Sequence, residues 1–124
     1  SLGHQKLLGL ALSGMKIKAN GRLAYMTIDR EMFRTCGAKR EDTEGIVEYA
    51  RAVEGIKVGI LFVEEAKDKI KISFRSNGTV DVNELAKQFN GGGHRQAAGA
   101  RVNGPLKDAV SWVIGVCTDV IGEN

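Results

Sequence analysis

The chain has 124 residues, 43% hydrophobic and 27% charged, which suffices for one domain with a core of its own. A net charge of +3 and a pI of about 9.0 suit a phosphate-bearing partner but fall short of the dense Lys/Arg clusters of a dedicated DNA-binding surface. Cys36 and Cys117 lie far apart with no metal-type spacing. With no leader-type segment and no long apolar run, the expected setting is the reducing cytoplasm, away from membranes. A start at Ser1 rather than Met reads as a piece of a longer chain or a processed one.

Leu7, Leu8, Ala11 and Leu12 predict an amphipathic first helix that stops near Ser13 and Gly14. Residues 15–20 fit no single element, Asn20–Gly21 is a turn signal, and 22–28 reads as a strand. A short helix is expected over 30–35, closed by Gly37. Asp42 is the expected N-cap of a longer helix running to about Val53, with Glu44 in its first turn and Ile46, Tyr49, Ala50 and Val53 as its apolar stripe. The run 56–63 suits a central strand buried on both faces. After a turn at Lys67–Asp68, the alternation of Lys69, Lys71, Ser73 and Arg75 with Ile70, Ile72 and Phe74 predicts a half-buried strand. Ser76–Asn77–Gly78 is its exit turn. Asp81 with Glu84 has the spacing of a capping box, and the helix it opens buries Val82, Leu85, Ala86 and Phe89 before Asn90–Gly91 ends it. Residues 97–102 suit a further strand. Gly104–Pro105 opens a last helix with Val110, Val113, Ile114, Cys117, Val120 and Ile121 on one face. Strands and helices interleave, so the fold class is α/β, a single domain with a mixed β-sheet flanked by helices.

The feature richest in chemistry is Gly91–Gly92–Gly93–His94, followed by Arg95 and a run of small residues. Three glycines reach conformations a Cβ would obstruct, and such a loop can turn several N–H groups towards one anion. The imidazole of His94 can gain a proton beside a phosphate. The order helix, glycines, strand is the reverse of a Walker loop or a dinucleotide fingerprint. Arg75, at a strand end beside Ser76 and Asn77, has two readings: a guanidinium fork for phosphate, or part of a solvated face shared with Lys69 and Lys71. Arg51, near a helix C-terminus, is accounted for by the helix dipole alone. His4 and the pair Lys39–Arg40 read as surface, and Trp112 and Tyr49 as core or interface. With His4 and His94 its only histidines, the chain has no carboxylate–histidine cluster of the kind that metal-assisted phosphoryl chemistry needs. No nucleophile elbow is present.

Taken together, Gly91-Gly92-Gly93-His94-Arg95-Gln96-Ala97-Ala98-Gly99, the upstream Ser73-Phe74-Arg75-Ser76 and the helix between them resemble the DHHA1 domain, the C-terminal substrate-binding domain of DHH-type phosphoesterases. The segment from Asp42 to Arg51, with Glu54-Gly55 and the strand after it, is similar to the nanoRNase and pAp-phosphatase (oligoribonuclease) branch. The resemblance implies that residues 1–20 are the end of an interdomain connecting helix and linker and that 21–124 are the DHHA1-like domain. It further implies that Gly91, Gly92, Gly93 and His94 hold substrate phosphate, that Arg75 and Ser76 contact phosphate or the terminal nucleotide, and that Arg51 also belongs to the substrate-binding set. No catalytic residue and no metal ligand are expected in this chain. Two Mn²⁺ ions are implied in an N-terminal DHH domain of the same protein, with short RNA or nucleoside phosphates as partners; a homodimer is compatible with this. Other members of the class are RecJ-type exonucleases and cyclic-di-AMP phosphodiesterases. The related C-terminal domain of alanyl-tRNA synthetase supplies a different reading, a non-catalytic nucleic-acid-binding module.

Overall fold

A computed structural model describes residues 1–122. The alternation along the fourth strand is realised in full: Ile70, Ile72, Phe74 and Ser76 are buried, while Lys71, Ser73 and Arg75 are half-exposed on the other face. In chain order the elements are α1 (Leu2–Ser13), β1 (Lys16–Lys18), β2 (Leu23–Ile28), α2 (Arg30–Cys36), a 3₁₀ turn (Arg40–Thr43), α3 (Val47–Arg51), β3 (Val58–Ala66), β4 (Lys69–Ser76), α4 (Val82–Lys87), β5 (Gly92–His94), β6 (Ala97–Asn103) and α5 (Leu106–Ile121). The strands form one mixed sheet in the order β1-β2-β3-β4-β6-β5, with β2 and β3 parallel and every other pair antiparallel.

Each face of the sheet has its own core. On one, Ile60, Phe62, Ile70, Ile72 and Phe74 meet Leu85 and Phe89 from the α4 segment and Val113 and Cys117 from α5. On the other, Ala24, Met26, Ile28, Leu61 and Val63 meet Leu7 and Ala11 of α1, Cys36 of α2, and Val47 and Ala50 of α3. That second core contains residues of β2 and β3 but none of β4, β6 or β5. Half of one sheet face is therefore left without a covering helix.

Several local expectations need correction. The helix expected from Asp42 starts only at Val47. Gly45 takes φ +79°, which a continuing helix cannot use, and the Asp42 carboxylate turns back to accept the Lys39 N–H at 2.8 Å. Val47 and Ala50 are the buried members of α3; Tyr49 is half exposed and Val53 lies at the surface. Asp81 does cap α4, accepting from the N–H groups of Asn83 and Glu84, but the Glu84 side chain pairs with Lys87 at 2.8 Å. Val120 on α5 is exposed and Ala109 is buried in its stead; Leu12 of α1 is also exposed. Trp112 is half exposed, its ring set edge-on to Phe89. Within residues 1–20, Leu7 and Ala11 are buried, and β1 pairs with β2 from Lys16 to Lys18.

Candidate phosphate-binding face

The uncovered half-face is a shelf whose rows follow from strand register. Gly59 of β3 pairs with Arg75, Arg75 with Ala97 of β6, and Ala97 with His94 of β5. Directly paired residues project from the same face, so Arg75 and His94 stand on one side, separated by two strand spacings, or roughly 10 Å. Between them lies Ala97. The adjacent row is Ser73, Gly99, Gly92, again all small. A flat floor of small residues is thus flanked by a guanidinium on one side and an imidazole on the other.

Arg75 has company. Its Nε donates to Glu48 Oε2 at 3.0 Å, and Arg51 Nε donates to Glu48 Oε1 at 2.8 Å. One carboxylate from α3 therefore fixes two guanidiniums by their Nε atoms. Arg75 Nη1 is further tied to the Phe74 carbonyl at 3.0 Å. The Arg51 hydrogen bond, with support from both positive charges, holds the Glu48 carboxyl below the usual carboxylate range. Two arginines against one glutamate leave an excess positive charge at the mouth of a cleft of about 410 Å³ lined by Glu48, Arg51, Arg75, Ser76, Asn77, Gln96 and Ala97. Phosphate is gripped by a guanidinium's terminal nitrogens, whereas Glu48 is met by both arginines through Nε.

The residue that brings Arg51 there is Gly59. A Cβ at Gly59 would sit 2.4 Å from the Arg51 backbone nitrogen, so only glycine lets the end of α3 lie on β3 opposite Arg75. The sequence signal was present, a glycine inside an otherwise apolar strand run, but it carried no sign of what approaches. Arg51 is thus both the last residue of its helix and a member of this cluster.

The glycine run departs from expectation. It is no open loop: Gly92–His94 is an edge strand paired with β6. The Gly91 N–H donates to the Ala86 carbonyl and the Gly93 N–H to Asn83 Oδ1, each at 2.9 Å. With those two groups taken, the run does not form a nest of N–H donors. Close approach is what demands glycine. A Cβ on Gly91 would lie 2.1 Å from the Gly99 oxygen, and one on Gly93, at φ +152°, 2.7 Å from the Ala97 oxygen. Asn83, on the first turn of α4, anchors the strand that presents His94. Spacing gave no hint of that part.

Ser76 does not share the shelf. Its side chain is on the buried face, with the residue 2% exposed; the hydroxyl donates to Val80 O at 2.6 Å and accepts the Gly78 N–H at 2.9 Å. A hydroxyl engaged twice in shaping a turn is not free to hold phosphate, and Ser76 lines the cleft without offering its side chain. His4, expected at the surface, donates from Nδ1 to the Asp42 carbonyl at 2.7 Å and ties α1 to the 3₁₀ turn. Among the described residues no three His, Cys, Asp or Glu side chains come together as a metal ion would require. No helix there is long and apolar enough to cross a membrane.

A family model for the DHHA1 domain matches residues 20–117. The chain is 34% identical over 97 residues to the bifunctional oligoribonuclease and PAP phosphatase NrnA of Bacillus subtilis (strain 168), an alignment covering 78% of the chain and 30% of that protein. It is 37% identical over 128 residues to the protein of the same description from Mycoplasma genitalium, covering 98% and 39%. Among solved structures it superposes on an exopolyphosphatase-related protein from Bacteroides fragilis with a TM-score of 0.88 at 30% identity, covering 96% of this chain and 35% of the other. The chain thus spans about a third of the length of these relatives.

Proposed function

The chain belongs to the DHHA1 domain family and is related to NrnA-type phosphoesterases; on that premise we propose that it is the substrate-holding C-terminal part of a phosphoesterase acting on short oligoribonucleotides or pAp. The observation that carries this reading is the row Arg75–Ala97–His94 on an uncovered sheet face, with Arg51 drawn to Arg75 through Glu48. In it, Arg75 and Arg51 neutralise a terminal phosphate with the guanidinium nitrogens that Glu48 leaves available. His94 donates a hydrogen bond from the opposite side. The floor of Ala97, Gly99, Ser73 and Gly92 admits a sugar or base lying flat. These residues bind and orient, and such positioning is worth most when the reacting phosphorus is held against chemistry supplied elsewhere.

The side chains described here do not fit a di-metal centre, so no catalytic step is derived through one. On this reading the two Mn²⁺ ions are held by an N-terminal DHH domain, and residues 1–20 lead from it. The uncovered shelf is where that domain closes over the substrate.

Calorimetric titration of the chain with pAp and with adenosine tests the reading. Saturable binding of pAp with adenosine much weaker is expected; equal binding of the two would remove phosphate recognition from the account. Incubated with Mn²⁺, the chain alone should not hydrolyse pAp. Turnover above a heat-treated control would contradict the division of labour.

A further inference from the structure

The shelf does not end at Arg75. Further along β4, Lys71 projects from the same face and pairs in register with Arg101 of β6, and Lys69 pairs with Asn103. Arg101 Nε donates to Glu65 Oε1 at 3.3 Å, while Arg40, reaching over from the 3₁₀ turn, lies 3.4 Å from Glu65 Oε2. The Glu65 side chain is only 9% exposed, whereas Arg40 and Arg101 are 67% and 68% exposed. A sunken carboxylate therefore holds two guanidiniums from different elements with their ends in water.

Several depressions flank this row, and the pairing of Lys71 with Arg101 links them. One depression, lined in part by Thr43, Ser73 and Lys71, shares Arg75 with the cleft described above. Beyond Lys71, a second contains Arg101, Lys69 and Glu65, and a third runs from Glu65 to Arg40, Lys39 and Phe33. Arg30 and Arg34, also on its wall, are each matched by one glutamate, Glu64 and Glu31. Arg40, Arg101, Lys39, Lys69 and Lys71 line these depressions with two carboxylates, Glu65 and Glu44, and none of the three lysines has an ion-pair partner among the described residues. The six residue steps from Arg75 to Lys69 span roughly 20 Å at about 3.4 Å per step. Phosphates of a stacked strand recur every ~3.4 Å, so this length accommodates several of them.

We propose that Lys71, Arg101, Arg40 and Lys39 form a second, distal phosphate-binding segment. It holds the continuing backbone of a single-stranded RNA whose terminal phosphate lies at Arg75 and His94. This rests on the function proposed above and adds a length preference to it. Phe33 gives the far end an apolar wall for a base. No base edge is read, so the segment is indifferent to sequence.

The test is fluorescence anisotropy of the chain with end-labelled single-stranded RNAs of two and seven nucleotides, across a salt series. The heptamer should bind at least tenfold more tightly, with a steeper salt dependence. Lys39→Ala with Lys71→Ala touches no ion pair and should lower the heptamer's log–log salt slope by about 1.4, from ~0.7 per contact, leaving the dinucleotide unchanged. Circular dichroism verifies folding. Arg40→Ala with Arg101→Ala should act in the same direction, though it strands Glu65. Equal affinity for both lengths, or equal weakening of both by Lys39→Ala with Lys71→Ala, would overturn the proposal. Arg75→Ala separates the two claims. If it abolishes dinucleotide binding while the unsubstituted chain binds both lengths equally, only the distal segment falls. If the unsubstituted chain binds neither RNA, both readings fall.

Discussion

Arg75 and Ser76 are neighbours in sequence with opposite fates, because a strand sends successive side chains to opposite faces. Arg75→Ala should weaken pAp binding by tenfold to hundredfold, the loss of a charge-assisted contact of about 1.5–3 kcal/mol, with little change in melting temperature. Arg75→Lys should restore only part of it, since an ammonium lacks the fork. Ser76→Ala should do the reverse, costing about 1–3 kcal/mol of stability by leaving the buried turn groups unpaired, with affinity per folded molecule retained. Parallel calorimetry and thermal melts check both. Alternation predicted the face of Arg75, but the stretch from Ser73 to Gly78 gave no warning that the next hydroxyl would be consumed by Val80 and Gly78.

Glu48 adds a pH signature at the same scale. Its folded pKa lies below the ordinary 4.5, chiefly through the Arg51 hydrogen bond. The stabilisation is therefore fully present above that value and is lost as pH falls through the folded pKa. The stability difference between the wild type and Glu48→Gln should hold steady from pH 7 to 5 and shrink below about 4.5, as followed by urea unfolding at each pH. A difference that grows on acidification would contradict the arrangement. Glu48 was not singled out in sequence. It lies on the exposed side of α3, and only the approach permitted by Gly59 brings it between two arginines.

At the scale of elements, the three glycines are unequal. A methyl on Gly91 meets the Gly99 oxygen and Ala100, whereas one on Gly92 meets only Asn83 Oδ1 at an ordinary 3.4 Å. Gly91→Ala should cost at least about 3 kcal/mol and Gly92→Ala less than about 1 kcal/mol in chemical denaturation. Equal costs would mean that β5 does not pack against β6 as described. The element pattern itself was largely legible: α2 with its Gly37 cap at φ +59°, the turn at Asp68, and the alternating β4 all follow from local chemistry. What misled was Asp42. Its side chain suits a cap, but the left-handed Gly45 three residues later forbids the helix, and a left-handed glycine is indistinguishable in sequence from any other.

At the scale of the molecule, the decisive feature was not legible. Each residue of the shelf was visible as a letter, yet whether a helix covers a sheet face depends on where the other helices dock, which no local pattern encodes. The three helices from the first half of the chain pack over β2 and β3, and the half-face carrying Arg75 and His94 is left open. The run of glycines serves a different purpose from the expected one: it allows close packing against β6 instead of making an anion nest.

The central claim is that this open face holds nucleotide phosphate, and ¹H–¹⁵N NMR of the labelled chain titrated with pAp tests it most directly. Shifts should saturate together and cluster at Arg75, Arg51, Ala97 and residues 92–94, with the Arg75 and Arg51 Nε signals moving as phosphate competes with Glu48 for them. The same titration with Arg75→Ala should lose that cluster. Shifts gathered instead on the opposite face, in the groove between Tyr25 and Ile114, or no saturable change at all, would contradict it.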